Sequence, residues 1–342
     1  DAKWIQVLHS YGLLRPSHVP EQIIRDLRSY VRQRENLKQE KSRAIMHIHK
    51  ALDMMNVKVH HHISNMDGPT GMKILREMVG GQTDSKALSQ FHTRQLKVTK
   101  EELEISLQGN YRPAHLFALK QALDRFDFAA QQMQDCDLAI ERLLAQLTEG
   151  LDTLPEKGQA IRPLRRKQKK NEYAFDLKSY LHELVGVDLT AIDGLTENTV
   201  LDIISETGLD LKDCWPTEKH FTSWAMLAPK EKISGGKRVG HYKVKSVNRV
   251  NETFRLAAYG VANSKSGLGA FYRSKRAQKG VTVANKATAR KIAVIFYHMV
   301  TKQEEYRYTS QHEYEERNQA RRIRRLKKQA SQLGFELREA AS

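Results

Sequence analysis

Long apolar runs are missing from this sequence. No stretch of about 18 consecutive apolar residues occurs in its 342 positions, so nothing in it reads as a membrane-spanning helix. The opening DAKWIQVLHS lacks the basic-then-apolar order of a secretory signal, and it starts with Asp rather than Met, as a piece of a longer chain would. Cysteine is nearly absent. Cys136 and Cys214 lie far apart, form no metal-ligand spacing, and are expected to be small buried thiols of a reducing compartment. Aromatics are only 7% and prolines number 8, which argues against an all-β protein. The 40% hydrophobic content is enough for a sizeable core in two or three domains built mainly from helices.

Positive charge is what the sequence has in excess. The formal net charge is +17, and it is unevenly placed. Between Lys230 and Lys291, sixteen lysines and arginines stand against two acids, Glu231 and Glu252. Smaller clusters are RPLRRKQKK, from Arg162, and RRIRRLKK, from Arg321. Concentrated charge of this kind attracts a polyanion by counterion release, with DNA or RNA as the expected partner. The plainer alternative is a solubilising surface. A membrane surface fits less well, because the basic stretches lack a broad leucine and aromatic face.

Apolar spacing predicts one long helix from Glu21 to about Met55, through Ile24, Leu27, Val31, Leu37, Ile45, Ile48 and Leu52. A second runs from Pro113 to about Leu147, with short helices and turns between them. The fold class is therefore mainly α. A coiled-coil-like arm (21–153) would mediate oligomerisation or RNA contact. A basic linker (154–173), a compact domain (174–305) and a basic C-terminal helix (306–342) follow. His60, His61 and His62 bring metal binding to mind, but adjacent histidines on a helix point in different directions and read as a polar helix start.

Three stretches bear on chemistry. VDLTAIDGLTENTVLDIISETG, from Val187, predicts two short amphipathic helices around the turn Asp193-Gly194-Leu195, a helix-hairpin-helix layout whose backbone N–H groups approach a phosphate. Thr196 stands where such motifs carry a second glycine, and an ordinary packing hairpin is the alternative. In ISGGKRVGHYKVKS, from Ile233, Gly235 and Gly236 supply turn angles and predict a short hairpin around Ser234. Ser234 reads as a turn serine, or as an exposed nucleophile beside Lys237, Arg238, Lys243 and Lys245, with His241 the nearby candidate base. Two further helices carry Lys265, Arg273, Arg276 and Lys291 as candidate nucleic-acid contacts. Tyr272 and Tyr297 sit on them as core aromatics or stacking platforms.

The ordered set LTAIDGLTENT, FTSWAMLAPKEKISGGKRVG, SKSGLGAFYRSKRAQKG, ATARKIAVIFYHMV and YEERNQARRIRRLKKQASQLGFEL resembles the bridge-RNA-guided insertion-sequence transposases, a family that includes the Piv-type DNA invertases. WIQVLHSYGLLRPS and LQGNYRPAHLFALKQAL extend the resemblance over nearly the whole chain. It implies an enzyme that cuts and rejoins DNA, a prokaryotic cytoplasmic, nucleoid-associated setting, a structured guide RNA, a homo-oligomer, and a serine nucleophile matched by Ser234. It also implies a RuvC-like domain whose acids hold Mg2+. Asp1 matches the last of those acids, so residues 1–20 would be the end of that domain. Its remaining acids are not in this sequence, and Asp1 would ligate metal only in a complete domain. The rival expectation is a catalytically inactive nucleic-acid-binding remnant.

Overall fold

The computed structural model of the protein describes residues 2–14, 18–63, 65–149, 162–164, 166–229, 231–241 and 248–336, without the side chains of Glu149, Glu231, Arg238 and His241. Asp1, Lys243 and Lys245 lie outside the described residues, as do the side chains of Arg238 and His241. In chain order the elements begin with α1 (Ala2–Ser10), α2 (Gln22–Met54), α3 (Val59–His62), α4 (Pro69–Val79), α5 (Ser85–Ser89), α6 (Lys100–Ser106), α7 (Pro113–Glu149) and α8 (Leu177–Val185). A 3-10 turn (Leu189–Ala191), α9 (Glu197–Thr207), α10 (Leu211–Cys214) and α11 (Glu218–Trp224) follow. The chain continues through β1 (Glu231–Ser234), β2 (Lys237–His241), α12 (Arg249–Gly260), α13 (Gly267–Lys279), α14 (Val281–Lys302) and α15 (Gln311–Gln332). The protein is mainly helical, as its composition predicts. Two compact units form, one from 1–28, 143–154 and 176–342, the other from 29–142 and 155–175.

The second unit is built on the antiparallel pairing of α2 and α7. Ala44, Ile48, Ala51, Leu52 and Met55 share a core with Leu119, Ala122, Leu123 and Phe126, closed by α3 to α6. Further along the same seam Leu37 meets Met133 and Cys136. Position 34 continues the three-and-four spacing of α2 but holds arginine. Arg34 is 5% exposed and forms an ion pair with Asp137, which is 3% exposed. Its guanidinium also donates to the Glu172 carbonyl at 3.0 Å and lies 3.8 Å from the Tyr173 ring centre. Asp137 in turn accepts the Ala174 N–H at 3.1 Å. The end of the basic segment, read from sequence as a linker, is thus docked on the helix pair. The docking satisfies a buried charge pair that the apolar pattern alone does not display.

The first unit has an aromatic centre. Phe221, Phe254 and Phe296 are fully buried, from α11, α12 and α14. The Phe221 and Phe254 rings meet edge to face at 6.3 Å, a geometry favoured by the ring quadrupoles. Tyr297 is buried and donates to the Trp215 carbonyl at 2.5 Å, and Tyr272 is buried as well. Both are core aromatics rather than stacking platforms. The helix before the hairpin ends at Trp224, ahead of Pro229, because Met226 takes a left-handed conformation with φ +56°. Cys136 is buried as expected. Cys214 is exposed, because the one-turn helix α10 buries Leu211 and the following Trp215 instead.

Candidate nucleic-acid interface

The hairpin around Ser234 follows from its two glycines. Ser234 pairs with Lys237, leaving Gly235 (φ +54°) and Gly236 (φ +73°) as the two turn residues. Positive φ at both central positions is the type I′ geometry, whose twist matches that of antiparallel strands. A Cβ added at either glycine would meet nothing within 4 Å, so the tip stands in open space. The register slips between Lys232 and Ile233, making Val239 the extra residue of a bulge. Ser234, Lys232 and Lys237 are exposed, and among the described residues the Ser234 hydroxyl has no hydrogen-bond partner. Ile233 and Val239 are 63% and 58% exposed, an apolar pair beside the basic tip.

Two amides, buried Asn251 and half-buried Asn248, anchor the chain on either side of the hairpin. Asn251 donates to the Ala225 carbonyl at 2.8 Å and Asn248 to the Trp224 carbonyl at 3.2 Å. Asn248 also caps α12 by accepting the Val250 and Asn251 N–H groups. The end of α11 is therefore tied to the start of α12, and the hairpin is raised between two fixed points.

The Asp193-Gly194 turn differs from its expected form. The element before it is a single 3-10 turn, not a helix. Asp188 caps that turn through the Thr190 N–H at 2.9 Å, and Gly194 (φ +89°) ends the segment, leaving room for one turn only. A Cβ on Gly194 would stand 2.5 Å from the Ala257 carbonyl oxygen and 2.7 Å from Val261 Cγ1. Gly194 thus lets α12 approach closely. Thr196 caps α9, exchanging hydrogen bonds with Thr199, whose hydroxyl accepts the Thr196 N–H at 3.0 Å. Tyr306 reaches Asp193 at 3.4 Å. Burial and the neighbouring carboxylate push the Tyr306 phenol up to about 12, which keeps it a donor.

The four helical cations divide by environment. Lys265 and Arg276 are exposed. Arg273 is committed internally: one nitrogen donates to the carbonyls of Ala262 and Ser264, at 3.0 and 2.8 Å, and the other to Gln311 at 2.9 Å. It holds α13 to the preceding loop and to α15. Lys291 lies 4.8 Å from the Phe271 ring centre and 5.6 Å from that of Tyr314. Burial first, and then the charge of Arg321, push its ammonium below the usual lysine range. Lys291 lines a cleft of about 310 Å³ together with His298, Arg307, Arg317 and Arg321. Glu304 and Glu305 contribute acid to its rim. This cationic cleft escaped the sequence reading, because the aromatic Tyr314 and the arginines of α15 reach it only through the packing of α15 on α13.

Residues 188–273, from the 3-10 turn through the hairpin to Arg273, match the family model Transposase IS116/IS110/IS902 family. The match makes this segment similar to that transposase family. No curated protein matches the chain. The matched segment contains Ser234, both turn glycines and the Arg273 clamp, and transposases act on DNA. Among the described residues no helix is long and apolar enough to cross a membrane.

Among the described residues, which do not include Asp1, no oxygen-rich donor set suits the Mg2+ that the resemblance places on a complete RuvC-like domain. Magnesium takes hard oxygen ligands, whereas the one cluster of three potential metal-holding side chains among the described residues is Asp53, His60 and His61, rich in imidazole.

Proposed function

We propose that the first unit is the serine domain of a DNA transposase, with Ser234 the nucleophile presented to a phosphodiester. The observation that carries this reading is the type I′ tip, which exposes the Ser234 hydroxyl between cations inside the segment matching the transposase family. In the proposed step Ser234 Oγ bonds to phosphorus and loses its proton to a base. The bond from phosphorus to one ester oxygen breaks, and that oxygen takes up a proton as the strand end leaves. Lys232 and Lys237 would draw the backbone to the tip and offset charge on the equatorial oxygens. Lys265 and Arg276 extend the cationic surface, whereas Arg273 acts by positioning α13.

The arm supplies the surface for further protomers and a guide RNA in this reading. Phe117 and Phe128 on α7 are 64% and 65% exposed, and their spacing of three helical turns puts them on one face. A second reading, nucleic-acid binding without cleavage, is favoured by one observation: among the described residues neither an imidazole nor a carboxylate partners the Ser234 hydroxyl.

Incubation of the chain, within its full-length protein, with DNA, RNA and Mg2+ followed by denaturing electrophoresis separates the readings. A covalent protein–DNA species lost in Ser234→Ala supports the nucleophile. The same species persisting in Ser234→Ala rejects it, and salt-sensitive binding with no covalent species leaves the binding-only protein.

A further inference from the structure

The histidine run in α3 is rejected as a ligand set by helix geometry alone, since neighbouring side chains diverge by about 100°. Tertiary structure adds what α3 lacks. The last turn of α2 brings Asp53 to the same place, and Asp53, His60 and His61 each offer one ligand atom, all within 4.8 Å of one another. His60 Nε2 lies 3.5 Å from Asp53 Oδ1, and the His60 and His61 ring centres are 4.2 Å apart. One helical turn before Asp53, on the same side of α2, His49 stacks on His60 with ring centres 5.1 Å apart.

Among the described residues, two ring nitrogens in this group lack partners. His49 Nε2 and His60 Nδ1 are buried without a hydrogen bond, and the His60 side chain is only 8% exposed. A cation already occupies the neighbourhood, since Lys58 donates to Asp53 Oδ1 at 3.0 Å.

We propose that Asp53, His60 and His61 form a Zn2+ site that clips α3 to the end of α2, with His49 packed behind the His60 ring. Two imidazoles and one carboxylate are the donor chemistry of zinc rather than of Mg2+ or Ca2+. Three protein ligands leave the fourth tetrahedral position to water. Bonds of about 2.1 Å in a tetrahedron hold ligand atoms roughly 3.4 Å apart. The cluster therefore closes by up to about 1.4 Å, and Asp53 and His61, both exposed, are free to make that adjustment. Lys58, half exposed, swings into solvent when the metal takes its place. The site lies wholly in the second unit and is independent of any role for Ser234.

The test is titration of the untagged, metal-free 342-residue chain with Co2+, read by its visible d–d absorption, and with Zn2+ against a chromophoric chelator. One equivalent is expected, with a rise in the melting temperature of the arm. His61→Ala and Asp53→Asn change exposed residues, so the fold is kept while affinity falls at least about tenfold. His60→Ala falls as far, with circular dichroism checking its fold. His62→Ala, the neighbour outside the cluster, stays within about twofold of the parent, and Lys58→Met tightens binding by removing the competing ammonium. Absence of stoichiometric uptake overturns the site. Equal losses in His61→Ala and His62→Ala overturn it too, as does uptake unaffected by His61→Ala and Asp53→Asn together.

Discussion

Replacing Gly194 by alanine distinguishes a glycine that serves close packing from one that serves a phosphate. The residue sits at φ +89°, where a side chain costs about 1–2 kcal/mol. Its Cβ would stand 2.5 Å from a backbone oxygen of α12 and 2.7 Å from Val261, a clash that rigid backbone cannot relieve by a side-chain turn. Overpacking of this kind adds about 1–3 kcal/mol. The total loss expected for Gly194→Ala is therefore about 2–5 kcal/mol, summing the two terms. Gly235→Ala is the control: it shares the positive φ of +54° but its Cβ meets nothing, so only the backbone cost of about 1–2 kcal/mol remains. Urea unfolding followed by tryptophan fluorescence reads this difference locally, because Trp4, Trp215 and Trp224 all lie in the first unit. A local probe is needed because a chain of two units need not unfold in one step. The folded fraction of Gly194→Ala should bind DNA with an unchanged salt slope, since no phosphate contact is removed. Parental stability in Gly194→Ala, or an equal loss in Gly235→Ala, would refute the packing role. A lowered salt slope would restore the phosphate role.

Two further perturbations probe buried charge. Asp137→Ala leaves the Arg34 guanidinium buried without its carboxylate and should cost the second unit about 3–5 kcal/mol; limited proteolysis should then cut near residues 171–174, which the pair now holds, and unchanged protection would count against the docking role. Lys291 has its folded pKa depressed below 10.5, so its charge penalises folding at neutral pH and the penalty is lifted as pH rises through the folded value. Parental stability relative to Lys291→Met should accordingly increase from pH 7 towards 10, as read by melting temperature, and parallel pH profiles would show that Lys291 is not desolvated in the fold.

Much of the architecture was legible in the apolar spacing. The long helices run from Gln22 to Met54 and from Pro113 to Glu149, close to the limits read from sequence, Glu21 to about Met55 and Pro113 to about Leu147. Gly235-Gly236 likewise announced the hairpin, since few other dipeptides tolerate two positive φ values. The cations were legible only as charge. Nothing in the sequence separates Arg273, consumed by three internal acceptors, from Arg276 three residues later on the same helix, which is exposed.

By itself, then, the sequence determined the helical class, the basic polarity of the chain and the glycine tip that lifts Ser234 into solvent, because these depend on composition and on dihedral and periodic preferences between neighbours. Tertiary structure alone decided that Gly194 makes room for α12, that Arg34 finds Asp137 across the seam, and that Asp53 reaches His60 and His61. Each of these joins residues separated in the chain or divergent along a helix, and only the packing of one element on another brings such atoms within bonding distance.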